Sequence, residues 1–292
     1  MSPAVRPCTD RAGLLAVYEQ DRPVHPYGIA DLLQLWDRSR WWRADEVVIG
    51  LLDLPGSPVP VVYAIAARAP EGTLEALASL VGRRALPDRF VITGPRGLTA
   101  RLAGTLSPRW SEAYVKQALT TPEALPAPDP AVRVLTAADL PALGRLHASD
   151  DSAGAFFHAG LLDSGAYVGL EVDGALVASA GVHVLERTAG VAALGNVVTL
   201  PAARGRGFAR RVVATLCHRL DPGITTIGLN VAEGNLAAQR LYQGLGFTPV
   251  HAYEEAELVR HGTGPLHDAD DSGSLPVAPP LPEAPACSSS ID

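Results

Sequence analysis

Apolar residues recur every three to four positions in RAGLLAVYEQ (11–20) and in GIADLLQLWDRSR (28–40), a spacing that predicts two amphipathic helices. EVVIGLLDL (46–54) and PVVYAIAA (60–67) are instead continuous apolar runs around the turn PGSP, the mark of paired buried strands. TLEALASLVGRRAL (73–86) returns to helical spacing, DRFVITG (88–94) predicts a strand, GLTARLAGTL (97–106) a helix and WSEAYVKQAL (110–119) a strand. The proline-rich stretch TTPEALPAPDPA (120–131) favours an extended linker. Beyond it VRVL starts a strand, and TAADLPALGRLH opens a helix on Thr136, with Asp139 three residues on in the manner of a capping box. SAGAFFHAGLLDSG (152–165) predicts a second short helix. Tyr167 to Val172 and residues 175–185 predict a hairpin turned at Asp173-Gly174, a pair suited to a type I′ turn. Strands over 191–200 and 224–231, helices over 209–220 and from Asn235, and a final strand from Phe247 to about Val259 complete the pattern.

This order divides the chain into an N-terminal α/β unit (1–121), a linker (122–130), a second α/β unit (131–260) and a tail (261–292). The tail has no Lys or Arg beyond His261 and is rich in Pro, Ala and Ser, so it is expected to be disordered. The first unit repeats the element order of the second and is expected to be a degenerate copy. Its segment ITGPRGLTAR has Gly94 and Gly97 but no phosphate loop. Trp36, Trp41 and Trp42 are expected in the core of this unit, with a substrate-facing wall as the alternative.

Composition narrows the function. At 47% hydrophobic and 19% charged residues, the 292-residue chain can bury a substantial core. A net charge of −7 argues against nucleic acid as partner. The cysteines Cys8, Cys217 and Cys287 are far apart and show no metal spacing, so reduced thiols, a cytoplasmic location and no metal are expected. No apolar run approaches the length of a membrane span, which takes about 20 residues.

The candidate chemistry centres on NVVTLPAARGRGFA (196–209). A β-branched run ends at Pro201, and an Arg- and Gly-rich turn leads into a helix. First-turn N–H groups lack intrahelical acceptors and carry the positive end of the helix dipole, so this is an anion site. Arg204, Arg206 and Arg210 add cations able to fork onto phosphate oxygens. The dinucleotide fingerprint fails because Arg210 stands at its third glycine. The Walker pattern fails because Lys116 is the only lysine.

What fits is Arg-x-x-Gly-x-Ala from Arg204 through Gly207 to Ala209, followed by Asn235-x-x-Ala238, Leu241-Tyr242 and Gly246-Phe247. Together these motifs resemble the GCN5-related N-acetyltransferase (GNAT) superfamily over residues 131–259. The sub-pattern is most similar to the branch of the C-terminal part of glycine N-acyltransferases (FR47-like). The resemblance implies a mixed, mostly antiparallel sheet, flanked by helices, that splays between residues 192–200 and 224–231. It implies acetyl-CoA as cofactor, held by the main chain of Val197, Val198 and Thr199 and by Arg204, Gly205, Arg206, Gly207, Phe208, Ala209 and Arg210. Asn235 would meet the pantetheine arm.

In the implied chemistry an amine attacks the thioester directly. An N–H near Val198 polarises the carbonyl and Tyr242 protonates the leaving thiolate; its reference pKa of about 10 keeps it protonated at neutral pH. His183 is the first candidate for general base, with a structural histidine bonded to Asn196 or a carbonyl as the equal alternative. Glu171, Glu186 or a water chain rank below it. Phe156, Phe157 and His158 are candidates for the acceptor side, or plain core. The expected acceptor is a small-molecule amine. A protein N-acetyltransferase and a non-catalytic acyl-CoA-binding module are the alternatives, longer acyl groups stay open, and a monomer and a homodimer are both compatible.

Overall fold

The computed structural model describes residues 5–55, 57–66, 68–149 and 157–262. Phe156, Cys287 and the tail beyond Gly262 lie outside the described residues. Twelve strands form one mixed sheet. In chain order they are β1 (Arg6–Pro7), β2 (Ser39–Ala44), β3 (Val47–Leu52), β4 (Val61–Tyr63), β5 (Arg89–Gly94), β6 (Leu106–Leu119), β7 (Val132–Val134), β8 (Tyr167–Val172), β9 (Ala175–Glu186), β10 (Val191–Thr199), β11 (Thr226–Ala232) and β12 (Phe247–Arg260). The helices are α1 (Arg11–Glu19), α2 (Pro26–Gln34), α3 (Pro70–Gly82), α4 (Leu98–Leu102), α5 (Leu140–His147), α6 (Phe208–Arg219) and α7 (Leu236–Gln243).

Across the sheet the order is β1-β2-β3-β4-β5-β12-β6-β11-β10-β9-β8-β7. The order is symmetric about its centre. β4 pairs with β5 in parallel and β10 with β11 in parallel, every other neighbour being antiparallel. The last strand of each half crosses over: β6 pairs with β11, and β12 pairs with β5. The two long strands also pair with each other from Phe247↔Leu119 to Arg260↔Leu106. Residues 122–130 therefore connect two halves of a single sheet.

The halves are related as repeats, and the repeat locates the counterpart of the Arg/Gly loop more accurately than the sequence does. That counterpart is the connection from β4 to α3, which crosses to the parallel strand β5 as α6 crosses from β10 to β11. ITGPRGLTAR instead spans the end of β5 and the start of α4, one crossover later. Helix α3 begins with Pro70 and has Glu71 in its first turn. Pro lacks an N–H and the carboxylate repels phosphate, so this terminus is unsuited to an anion.

The predicted helix over 28–40 is too long. Helix α2 stops at Gln34, a short turn holds Trp36–Arg38, and residues 39–44 are a strand. Pleating explains the change: Trp41 packs under α1 and α2 while Trp42 faces the cluster under α3, so successive indoles bury on opposite faces. All three tryptophans contribute to the core. The expected short helix in 152–165 is, in its described part, a 3-10 turn over Ala159–Ser164. The hairpin of β8 and β9 turns at Asp173 (φ 53°) and Gly174 (φ 78°), as their residue types require.

Candidate active site

Strands β10 and β11 pair only from Val191↔Thr226 to Leu194↔Leu229. Past that point β10 stays with β9, as far as Thr199↔Ala178, and β11 stays with β6, as far as Ala232↔Tyr114. The sheet forks between them, at the expected place. Two register shifts in the β9–β10 pairing bend β10 away, and Asn196 sits within the second, between Gly195 and Val198, at φ 49°. The main chain of Val197, Val198 and Thr199 thus runs along one wall of the fork, with the Val198 side chain buried in a satellite core beside α5.

At the open end of that wall comes the loop. Pro201–Ala203 turn the chain, and Arg204 donates from Nε to the Thr199 carbonyl, 3.3 Å away. Gly205 and Gly207 have φ of 76° and 77°, and a Cβ on either would meet nothing within 4 Å. Both observations fit a cradle for an anion: the backbone conformation disfavours side chains, and the space above it is open. Gly207 is also the N-cap of α6, so no side chain satisfies the first-turn N–H groups, and that turn holds no acid. The α6 N-terminus is therefore suited to pyrophosphate. Of the predicted phosphate cations, Arg206 stacks over Phe208 at 4.8 Å. Arg210 instead donates to the Gly244 carbonyl at 2.7 Å, tying α6 to the exit of α7. Phe208 itself is buried, and Ala209 follows it in the first turn of α6.

Helix α7 starts on Asn235, whose side chain accepts from the Ala238 N–H at 3.0 Å. Tyr242 lies two turns on, buried, with its ring edge-on to Phe247. Burial raises its pKa, so the phenol is protonated at neutral pH. Its phenol also acts electrostatically on that of Tyr27, which belongs to α2.

His183 occupies the bulge of β9 opposite Ala193 and Leu194. Its ring lies flat against Gly195: a Cβ there would fall 2.2 Å from Nε2. Nδ1 is 3.3 Å from the Tyr27 hydroxyl, and Nε2 is buried without a hydrogen-bond partner. Burial lowers the His183 pKa, opposed by the Asn196 side chain and reinforced by His158. These contacts resemble a structural histidine that shapes the bend of β10. Phe157 packs against Tyr167 and His147 at the satellite core. Glu171 is paired with Arg133, and Glu186 accepts from Gln34 and the Thr188 N–H.

A second polar group, announced by no local motif, stands at the same fork. Lys116 of β6 stands opposite Asn230, the first residue of β11 beyond the last rung, and donates to its Oδ1 at 3.3 Å. The lysine is buried, with Nζ 5.0, 5.7 and 5.1 Å from the ring centres of Tyr27, Tyr63 and Tyr253. Asp31 of α2 and Glu255 of β12 supply the opposing charge. Burial pushes both carboxyls up to about 7 and the Lys116 ammonium down to about 8, each partly offset by the others. Four strands and a helix, far apart in sequence, bring this cluster together. Its one sequence-level signal was the solitary lysine.

No group of metal-ligating side chains occurs among the described residues, and no helix there is long and apolar enough to cross a membrane. Cys8 and Cys217 are free thiols, the latter buried.

A sequence profile of the Acetyltransferase (GNAT) family matches residues 134–247, the stretch holding the forked strands, the Gly-rich loop and both motif helices. A [Ribosomal protein bS18]-alanine N-acetyltransferase of Haemophilus ducreyi is 35% identical over 88 residues, 30% of this chain and 56% of the relative. The chain thus spans about half the length of that curated relative. Among solved structures, a Drosophila protein aligns with a TM-score of 0.62 at 16% identity over 88% of this chain and 99% of its own. A GCN5-related N-acetyltransferase from Sphaerobacter thermophilus aligns at 0.57 and 16% identity over 88% and 95%. A tandem GNAT protein from the clavulanic acid biosynthesis pathway aligns at 0.50 and 16% over 88% and 98%. These likenesses extend over both halves of the sheet and concern the fold. The stretch 134–247, less than half of the chain, thus carries the sequence pattern of the GNAT acetyltransferase family.

Proposed function

We propose that the protein transfers an acetyl group from acetyl-CoA to the amine of a small molecule. The observation that carries this reading is the fork between β10 and β11, which opens toward an anion-suited loop at one end and toward polar, titratable side chains at its base. Acetyl-CoA supplies the activated acyl group. On the protein, the Gly205–Gly207 turn and the α6 N-terminus would hold pyrophosphate, the β10 main chain at Val197 to Thr199 the pantetheine, and the α7 start at Asn235 its flank. Tyr242, buried against Phe247 and held as a protonated phenol, would donate to the departing thiolate. Helices α1 and α2 cover part of the opposite face, which favours a small acceptor over a polypeptide.

Protein acetylation is the second reading, favoured by the name of the Haemophilus ducreyi relative. Thiol release from acetyl-CoA over a panel of amines, amino acids and basic peptides separates the two. Tyr242→Phe is expected to lower turnover on the order of a hundredfold while leaving acetyl-CoA affinity unchanged. Release with peptides alone would replace the first reading by the second. Acetyl-CoA binding without release across the panel would leave a binding module, and no binding would remove the donor assignment.

A further inference from the structure

The polar cluster at the fork has a direction. Strand β6 runs antiparallel to β11, so that Lys116 stands beside Asn230 at the base of the fork and Tyr114 beside Ala232 toward its mouth. Side chains alternate along a strand, so Glu112, Tyr114 and Lys116 share one face of β6, and His251, Tyr253 and Glu255 line up beside them on β12 across the register shift. Ring stacking of Tyr114 on Tyr253, 5.5 Å between centres, confirms the common face. Lys116 and Tyr253 are sealed in, whereas Tyr114 and Glu255 are half-buried and Glu112 is exposed. The stripe therefore runs from an acidic, tyrosine-lined mouth inward to a buried cation.

Each end of this stripe is polarised for one kind of visitor. At the mouth, Glu112 already accepts from the Tyr114 hydroxyl at 2.9 Å, and the Tyr253 hydroxyl reaches Glu255 only at 3.5 Å. Among the described residues, no closer donor and no cation within 4 Å engages Glu255. Tyrosine faces and a carboxylate attract an alkylammonium. At the inner end, Lys116 repels a second cation and so weakens its hold on its proton. Asp31 and the faces of Tyr27, Tyr63 and Tyr253 hold that lysine in place.

We propose that the acceptor is a primary aliphatic amine that enters as its cation between Tyr114 and Glu255, and that the Glu255 carboxylate takes its proton. This inference rests on the acetyltransfer reading above. The ammonium N–H bond breaks and its proton goes to Glu255; the freed electron pair forms the new C–N bond. The adduct loses its second N–H proton to water as the C–S bond breaks, and the thiolate is protonated from Tyr242, whose phenolate regains a proton from water while Glu255 releases its own. His183 then keeps a positioning role through Gly195 and Tyr27. The charged and titratable groups facing Glu255 are Glu112, Tyr114 and Lys116 from β6, Tyr253 from β12 and Tyr27 from α2, with Asp31 and His251 acting on Lys116. A carboxyl pushed up to about 7 among them suits proton transfer at neutral pH.

The test uses the full chain with Glu255→Gln and Glu255→Asp, each checked for an unchanged melting temperature. n-Butylamine serves as acceptor with saturating acetyl-CoA between pH 5.5 and 9.5, and tetramethylammonium binding is measured by calorimetry without donor. The expected result is a wild-type rate with an acid limb near pH 7 that disappears in E255Q, at least a tenfold loss of rate, partial recovery in E255D, and weaker tetramethylammonium binding in E255Q. An unchanged acid limb, or equal tetramethylammonium affinity in wild type and E255Q, would overturn the proposal. Acetyl-CoA binding without turnover of n-butylamine would count against the acetyltransfer reading, and the calorimetric comparison would still decide the role of Glu255.

Discussion

Gly195 shows how closely single residues are fitted at the fork. Gly195→Ala would place a methyl 2.2 Å from Nε2 of His183, and overpacking of this kind costs on the order of 1–3 kcal/mol. Denaturant unfolding should register that loss, and His183→Ala in the same chain should relieve it. Additive losses in the double mutant would show that the two do not compete for space. Lys116 gives a second residue-scale test. Its ammonium is lowered from an ordinary value of 10.5 to about 8, so between these values the unfolded chain binds more protons than the folded one. Stability therefore rises with pH above about 8, until the buried tyrosines, whose pKa values are raised, begin to act in the opposite sense near 10. Melting temperatures across pH 8–10 should show this rise, and Lys116→Met should flatten it. The two carboxyls are shifted the other way, and their preference for protonation weakens the fold as pH climbs toward about 7.

Elements were the most legible part of the sequence. The β10–loop–α6 unit was readable because its chemistry is local: β-branched residues make the strand, Pro201 ends it, and glycines at φ 76° and 77° allow the turn. The Asn235 cap and the Thr136–Asp139 capping box were readable for the same reason. Failures came where distant contacts decide. Residues 35–40 have helical spacing on paper, yet the two adjacent indoles that follow each find a separate core, and only a strand sends them to opposite faces. The loop makes its own prediction. Gly207→Ala meets no atom within 4 Å, so its cost is backbone strain of about 1 kcal/mol. That strain falls on the segment proposed to hold pyrophosphate. CoA affinity measured by calorimetry should drop about fivefold or more, with only a small change in melting temperature. An unchanged affinity would move the anion site elsewhere.

At the scale of the whole molecule the decisive feature is the exchange of terminal strands. Strand β6 lies between β11 and β12, so residues 131–262 alone would leave β11 without a neighbour on one side and β12 without both of its partners. Unpaired edges of that length aggregate. A chain of residues 131–262 is expected to be insoluble and to become soluble when co-expressed with residues 1–130. A folded, monomeric 131–262 would show that β6 is dispensable. The halves are joined on the face as well: Arg22 reaches the Ala189 carbonyl, and Gln34 the Leu185 carbonyl and Glu186. Half of the polar stripe at the fork belongs to the first half of the chain, through Tyr27, Asp31, Tyr114 and Lys116.

The sequence by itself determined the elements whose instructions are written within a dozen residues. These are the Gly-rich loop, the caps, the type I′ hairpin, and the family that their order identifies. The resemblance also singled out Tyr242, and helical spacing from Asn235 fixes where along α7 that residue lies. Only the tertiary structure decided which strand stands beside which. That choice placed β6 against β11, put a lone lysine at the base of the fork, and brought Asp31 and Glu255 to it. Strand pairing depends on burial summed over the whole sheet, and a carboxyl's proton affinity depends on what surrounds it in space, so neither is encoded in any single stretch.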